Sequence, residues 1–293
     1  MPFFLALLVD GILAGAMYTL AALAFVLVYK ASSMINFALG EWMMFGVTLA
    51  GLGAGFLSLG TVATLGFAAV GVVSLAAGFC VLVVRRLVDR PALSAIMATL
   101  GLGMLMRGGA QVLPISEPVF LQSAPREPVL LASLALSPDK VMAGGISAFC
   151  VIVIAVFYRY SRTGLALRAM ADDPQVAASM GVDVDRHLAI VWGLAGLVTL
   201  IAGVLWVFVN GGGFGVALVG LKVFPIVILG GLNSIVGTLV AAVAVGVLES
   251  LAAGYLDDYL GSGFGALAPY LALLTMLFVR PYGLFGSRRV ERI

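Results

Sequence analysis

The chain carries little charge. Of its 293 residues only 10% are Asp, Glu, Lys or Arg, against 62% hydrophobic, and its mean hydropathy is +1.17. Soluble domains carry roughly 25% charged residues. A chain this apolar cannot give a water-facing surface its polar cover, so lipid must be its solvent. Lysine is rarer still. Lys30, Lys140 and Lys222 are each followed by Ala or Val, so the nucleotide-binding pattern GxxxxGK[ST] is absent. There is one histidine, His187, and there are two cysteines, Cys80 and Cys150. Both cysteines fall inside apolar runs, where free core thiols are expected, and with a single His no metal site is expected. No HExxH, no paired aspartates on one span and no nucleophile beside a base occur, which speaks against an intramembrane enzyme. No basic run suits nucleic acid, and a net charge of +2 singles out no acidic partner. The N-terminus has no basic n-region and Asp10 interrupts it early, so it reads as the start of a first span rather than a cleaved signal.

What fills the chain is a series of membrane-length apolar runs. They lie at about 7–29, 35–59, 62–84, 93–113, 141–158, 188–210, 213–231, 234–254 and 264–280. The expected fold is an all-α polytopic membrane protein with eight to nine transmembrane segments, forming a single transmembrane domain over 1–293. Two runs are weak. The run 35–59 is glycine-rich and opens with Asn36 and Glu41, and 213–231 carries Lys222 and Pro225 near its middle. At least one of them is expected to be broken or re-entrant, which is tolerated where protein or a water-filled cavity shields the freed backbone. The long connection 114–140 is proline-rich and suits an extended loop with one short interfacial helix.

Lysine and arginine set orientation. With the N-terminus outside and nine crossings, twelve of them fall on the inner side, among them Arg85, Arg86, Arg90, Arg159, Arg162, Arg168 and Arg186. The outer segments hold Arg126 and Lys140 only. Eight crossings would put the arginine-rich tail opposite the arginine-rich segment 159–187, so the odd number is favoured. The expected C-terminus is cytoplasmic.

The segment Arg159–His187 is the long charged island of the chain. It holds four arginines and four aspartates among small residues. Thr163 is placed to cap a short helix over Gly164–Met170. Asp173 followed by Pro174 gives a second start, and Gly181 a left-handed stop. Two helices of about two turns each are marginal alone and need a surface to lean on. Val176, Ala177 and Met180 share one face that suits docking into a groove. A solvated connection whose arginines merely fix topology fits the same pattern. If the protein pumps with ATP, another subunit must supply the nucleotide site, and this island is where it would press.

Three ordered stretches carry a family resemblance. TGLALRAMADDPQVAASMGVDVDR, within the island, resembles the cytoplasmic coupling loop of branched-chain amino acid ABC permeases of the LivH type. Residues 15–46, with a Tyr, an aliphatic run and then Asn-Phe-Ala-Leu-Gly-Glu, resemble that family's N-terminal signature, and residues 220–250 resemble its third. MATLGLGMLMRG at 97–108 matches more loosely. One position departs: Leu39 stands where such permeases often have His. The resemblance implies an ABC importer permease in a bacterial inner membrane. It would pair with a second permease subunit (a sister or a copy), two cytoplasmic ATPases that bind the ATP, and an extracytoplasmic solute-binding protein. It implies ATPase coupling through Arg162, Gly164, Leu165, Arg168, Ala169, Asp172, Ala177, Met180 and Gly181, and needs no cofactor in this chain. Related permeases carry urea or short amides, so the amino-acid substrate is the first reading and those solutes the second. A self-contained ion-coupled transporter or channel is a further alternative, though the membrane interior offers few carboxylates.

Charges inside a membrane cost roughly 2.5–3.5 kcal/mol at a helix centre and should face a cavity or partner. Candidates for the substrate path are Asn36, Glu41, Thr99, Lys222 and Glu249. Asn36 and Glu41 are about 140° apart on an ideal helix, so sharing one face requires a break between them. Lys222 either pairs with a carboxylate such as Glu249 or snorkels to an interface. Glu249 could also brace packing between subunits. Arg107 is expected to snorkel outward and Asp10 to lie at the outer interface. Gly11/Gly15 and Gly51/Gly55 have GxxxG spacing, which assigns no interface in so glycine-rich a chain.

Overall fold

The computed structural model describes residues 2–88, 90–113, 129–131, 134–212, 215–280 and 283–286. Helices α1 (Pro2–Ser32), α2 (Leu39–Gly55), α3 (Thr61–Phe79) and α5 (Ala92–Val112) come first. A π-helical turn, Cys80–Val84, and the short α4 (Arg85–Leu87) prolong α3. Then follow α6 (Pro138–Tyr160), α7 (Arg162–Asp172), α8 (Pro174–Ser179), α9 (Val184–Asn210), α10 (Val216–Gly230), α11 (Ile235–Leu260) and α12 (Phe264–Val279). Every apolar run therefore becomes helix, because in hydrocarbon a segment must satisfy its own backbone.

Six described helices are long and apolar enough to cross a membrane: Phe3–Ser32, Thr61–Leu87, Ala92–Val112, Pro138–Tyr160, Val184–Asn210 and Ile235–Leu260. The others are short. The 17 residues of α2, 15 of α10 and 16 of α12 span about 22–26 Å at 1.5 Å per residue, below a core of about 30 Å. The two weak runs thus form truncated helices. The first breaks where expected, since residues 33–38 are non-helical and Ser33 has φ 53°. In the connection 114–140, residues 114–128 lie outside the described residues. The part beyond them differs from the expected loop with a helix: Val129–Leu131 and Leu134–Leu136 pair as an antiparallel hairpin, Leu130 opposite Ala135.

The chain divides into two compact units. One comprises Met1–Val26, Ala124–Ala148 and Leu221–Ile293. In it α11 packs on α12, and α1 crosses α11 with almost no space between backbones. A Cβ on Gly11 would stand 2.5 Å from Val247 Cα, and one on Gly15 2.6 Å from Val243 Cα. Gly246 faces both from α11. The Gly11/Gly15 spacing is therefore an internal crossing, whereas Gly55 has open space around it. Phe25 meets Phe224 edge to face, with ring centroids 5.5 Å apart.

The other unit comprises Leu27–Ser123 and Phe149–Gly220. Here α2, α3 and α9 pack on one another, with α5 against α2. Its core joins Ala38, Trp42, Val72, Ala76, Leu102 and Met106, and a second cluster joins Ala50, Ala68 and Leu200. In α3, Val62 and Val70 lie outward, as do Met104 and Leu105 in α5. They face lipid in a chain of this composition.

Candidate functional site: a polar elbow and intramembrane ion pairs

The island folds as two short helices, and its capping chemistry explains why. Ser161, extended and just before α7, accepts a hydrogen bond from Gly164 N at 2.8 Å. The cap is thus Ser161 and not Thr163. The helix starts two residues earlier than expected because Ser161 sits where the chain reverses after α6 and can reach the free N–H. Gly164 is buried in that reversal, where a Cβ would stand 2.6 Å from Phe157 O. Arg168 Nη2 donates to Arg159 O at 2.9 Å, tying the far side of α7 to the end of α6. Asp173 accepts from Gln175 N and Val176 N, with Pro174 in the first turn, as expected. Gly181 adopts φ 87° and ends α8, and Val182 N donates back to Ala177 O at 3.1 Å. Asp183 then caps α9 by accepting from Arg186 N.

The elbow leans on its own unit through Leu167 and Met170, 2% and 1% exposed, and through Ala177. The expected Val176–Ala177–Met180 face is accordingly split. Ala177 points inward against the unit, because α8 is too short to present three residues without turning one of them to its support. Leu165, Val176 and Met180 remain 62%, 58% and 81% exposed. Ala169 is half-buried, and Arg162 and Asp172 are exposed. Three large apolar side chains on a charged elbow form a surface suited to a partner.

In the same unit the break between α1 and α2 holds the first candidate path residues. Asn36 is buried, and its Oδ1 accepts from Ala38 N at 3.0 Å. Thr99 Oγ1 accepts from Phe37 N at 3.3 Å and donates to Ile96 O. These bonds satisfy backbone that the break frees. Asn36 lines a small cavity with Leu39, Trp42, Trp192 and Thr199. The indole N–H groups of Trp42 and Trp192 are buried there without a hydrogen-bond partner among the described residues. Glu41, inside α2, meets Arg107 Nη2 at 2.5 Å. Arg107 therefore pairs rather than simply snorkelling outward. Its side chain stays half exposed while its head reaches a carboxylate that would otherwise stand alone.

In the other unit Lys222 Nζ ion-pairs with Glu249. Tyr18 donates to Glu249 Oε2 at 2.8 Å, and its hydroxyl lies 3.3 Å from Lys222 Nζ. Of the readings open for Lys222, pairing is the one found. Three helices, α1, α10 and α11, supply one member each. Asp10 is likewise more than an interface residue: Lys140 Nζ lies 2.5 Å from its Oδ1, and Ser250 donates to Oδ2. Tyr18 and these last two partners were not foreseen, because nothing local in the sequence links positions more than a hundred residues apart. The one hint for Tyr18 is its place in the N-terminal signature. Among the described residues no group of three or more His, Cys, Asp or Glu could hold a metal ion.

A bundle of apolar helices with paired intramembrane charges and a capped polar elbow defines a polytopic membrane permease. Residues 7–279 match the family described as "Branched-chain amino acid transport system / permease component", and the chain belongs to that family. It is 26% identical to the high-affinity branched-chain amino acid transport system permease protein LivH of Escherichia coli K12, covering 99% of this chain and 98% of that one. It is 28% identical to BraD of Pseudomonas aeruginosa, a permease protein of the same kind of system, over 98% and 97%. A probable branched-chain amino acid transport permease protein LivH of Methanocaldococcus jannaschii shares 32% over 48% of this chain and 47% of its own. Among solved structures, PsaBC from Streptococcus pneumoniae in complex with Fab aligns at a TM-score of 0.49 with 15% identity, over 93% and 91% of the chains.

Proposed function

We propose that this chain is a permease subunit of an ABC importer that moves branched-chain or related hydrophobic amino acids inward by alternating access. The observation that carries the reading is the elbow. Two short capped helices hold Leu165, Val176 and Met180 in water, an arrangement that only a partner surface makes favourable. A chain without a P-loop needs that partner to be the ATPase. Closure of two cytoplasmic ATPases on ATP would push α7 and α8, and the push would pass to α6 through Arg168 and to α9 through Ala177 and Gly181. A second permease subunit and an extracytoplasmic solute-binding protein complete the importer. The asymmetry of Lys and Arg supports a cytoplasmic elbow and C-terminus and an outer N-terminus in a bacterial inner membrane.

The intramembrane candidates then divide. Asn36, Glu41 and Thr99 brace the α1–α2 break, and Lys222 and Glu249 brace the short α10. Their polar atoms are engaged within the chain, so their role is to hold the truncated helices in place within each unit. Uptake of labelled leucine into vesicles containing the whole assembly tests the proposal. ATP-dependent leucine uptake that disappears without the ATPase is expected. Undiminished uptake without the ATPase, or uptake of urea in place of leucine, would end the corresponding half of the reading.

A further inference from the structure

Lys30 stands in the last turn of α1, three residues before Ser33, where φ 53° ends the helix and opens the break that holds Asn36. A cation in a last turn complements the helix dipole, and that alone would account for a lysine here. Its surroundings add a second role. Lys30 is half-buried, and its Nζ lies over the Tyr158 ring, 5.8 Å from the centroid. That is within reach of the negative face of an aromatic ring. Lys30 belongs to none of the ion pairs formed among the described residues.

Tyr158 is where α6 meets the elbow. It is 8% exposed and lies two residues from the end of α6. Its hydroxyl is buried and makes no hydrogen bond among the described residues, so the residue acts through its ring and its main chain. The main chain lies directly against α7, since a Cβ on Gly164 would run into Tyr158 O. Arg168, one turn further along α7, closes the same contact by donating to Arg159 O at 2.9 Å. Asp172, the last residue of α7, acts electrostatically on both Tyr158 and Lys30, and its negative charge attracts the ammonium. All of these residues belong to one compact unit.

We propose that Tyr158 and Lys30 are positioning residues that carry movement of the elbow to the break between α1 and α2. The route runs from the main chain of α7 to Tyr158, from the Tyr158 ring to Lys30, and from the last turn of α1 to Ser33. It rests on the permease role proposed above, in which the elbow receives the push of the ATPase. Close packing makes the route stiff: a buried ring with main chain against it has no room to swing aside. The ammonium follows the ring, because a half-buried cation that lost its partner would pay for its desolvation without return. Residues 33–38 are non-helical, so the displacement is taken up there, beside buried Asn36 and the bond from Phe37 N to Thr99 Oγ1.

Leucine uptake per ATP hydrolysed by the whole assembly in vesicles, with amide hydrogen exchange of the purified full chain, tests the relay. Lys30→Gln and Tyr158→Leu should each lower uptake per ATP about fivefold, within the range that residues between coupled sites exert, while hydrolysis continues. The double variant should do no worse than the more severe single one, because the two residues form one link. Lys30→Arg keeps a cation and Tyr158→Phe keeps a ring face, so both should couple as wild type does. In the purified chain Lys30→Gln and Tyr158→Leu should speed exchange over residues 33–38, and the two conservative variants should not. If Tyr158→Leu fails to fold, the contrast of Lys30→Gln with Lys30→Arg decides. Wild-type coupling in Lys30→Gln, additive losses in the double variant, or exchange over 33–38 that no variant alters would overturn the relay and leave Lys30 as a dipole partner only. Absence of ATP-driven uptake by wild type would instead end the permease reading.

Discussion

The elbow Arg162–Gly181 and the Lys222–Glu249–Tyr18 cluster are both polar features of an apolar chain, and they are held by opposite means. Every bond that shapes the elbow joins near neighbours. Ser161 reaches Gly164, Asp173 reaches Gln175 and Val176, and the longest, Arg168 to Arg159, crosses nine positions. The cluster joins residues 27, 204 and 231 positions apart. The first is secured by caps worth about 1 kcal/mol each. The second is secured by the expense of leaving any one charge alone in a membrane. An elbow of local bonds can tilt as a body without losing them, whereas the cluster exists only while its three helices keep their places.

Breaking the cluster should have the largest effect on stability. Glu249→Ala leaves Lys222 facing Tyr18 without its carboxylate. Removing one partner of a buried pair costs about 3–5 kcal/mol. With each side chain about one-fifth exposed, about 2–3 kcal/mol is expected in a denaturation series in detergent. The double variant Lys222→Met with Glu249→Leu should recover most of that loss. If it does not, packing rather than charge holds α10.

Breaking the elbow should leave stability nearly intact and strike transport. Gly181→Pro cannot adopt φ 87°, and Arg168→Glu removes the bond to Arg159 O and reverses its charge. Each should lower coupled amino-acid uptake about tenfold or more while the protein stays inserted and the ATPase stays active, read as uptake per ATP hydrolysed. Unchanged coupling in both would remove the elbow from the mechanism. Asp173→Ala is a milder probe. Loss of its two cap bonds should cost about 1 kcal/mol, seen as faster amide hydrogen exchange confined to α8.

The smallest effect is expected at the Glu41–Arg107 pair. Arg107 is half exposed and Glu41 16% exposed, so the pair sits closer to a surface pair than Lys222–Glu249 does, and about 1 kcal/mol is expected. Arg107→Gln should therefore shift the denaturation midpoint far less than Glu249→Ala. A comparable shift would mean that the break before α2 depends on charge as heavily as α10 does.

The same contrast explains what could be read from the chain and what could not. Apolar runs located every described membrane-length helix, though ends such as those of Pro2–Ser32 and Ile235–Leu260 lie several residues beyond them, because hydrocarbon leaves a spanning segment no other way to satisfy its backbone. Asp173, Pro174 and Gly181 were legible for the same local reason. Ser161 was missed in favour of Thr163, since both are competent caps and only the reversal after Tyr160 decides between them. The partners of Glu249 and Asp10 depend on which helices meet, and a single sequence does not encode that in any short window. Ala177 turned inward for a related reason: which side of a two-turn helix faces its support is a property of the support.

At the crossing of α1 and α11, main chain lies on main chain at Gly11, Gly15 and Gly246, with no side chains between to act as a bearing. Sliding one rod along the other would drive the ridges of one backbone into those of the other. These two rods must therefore travel as a single plank through any transport cycle. The bending that such a cycle requires falls instead to the joints that the chain has kept short.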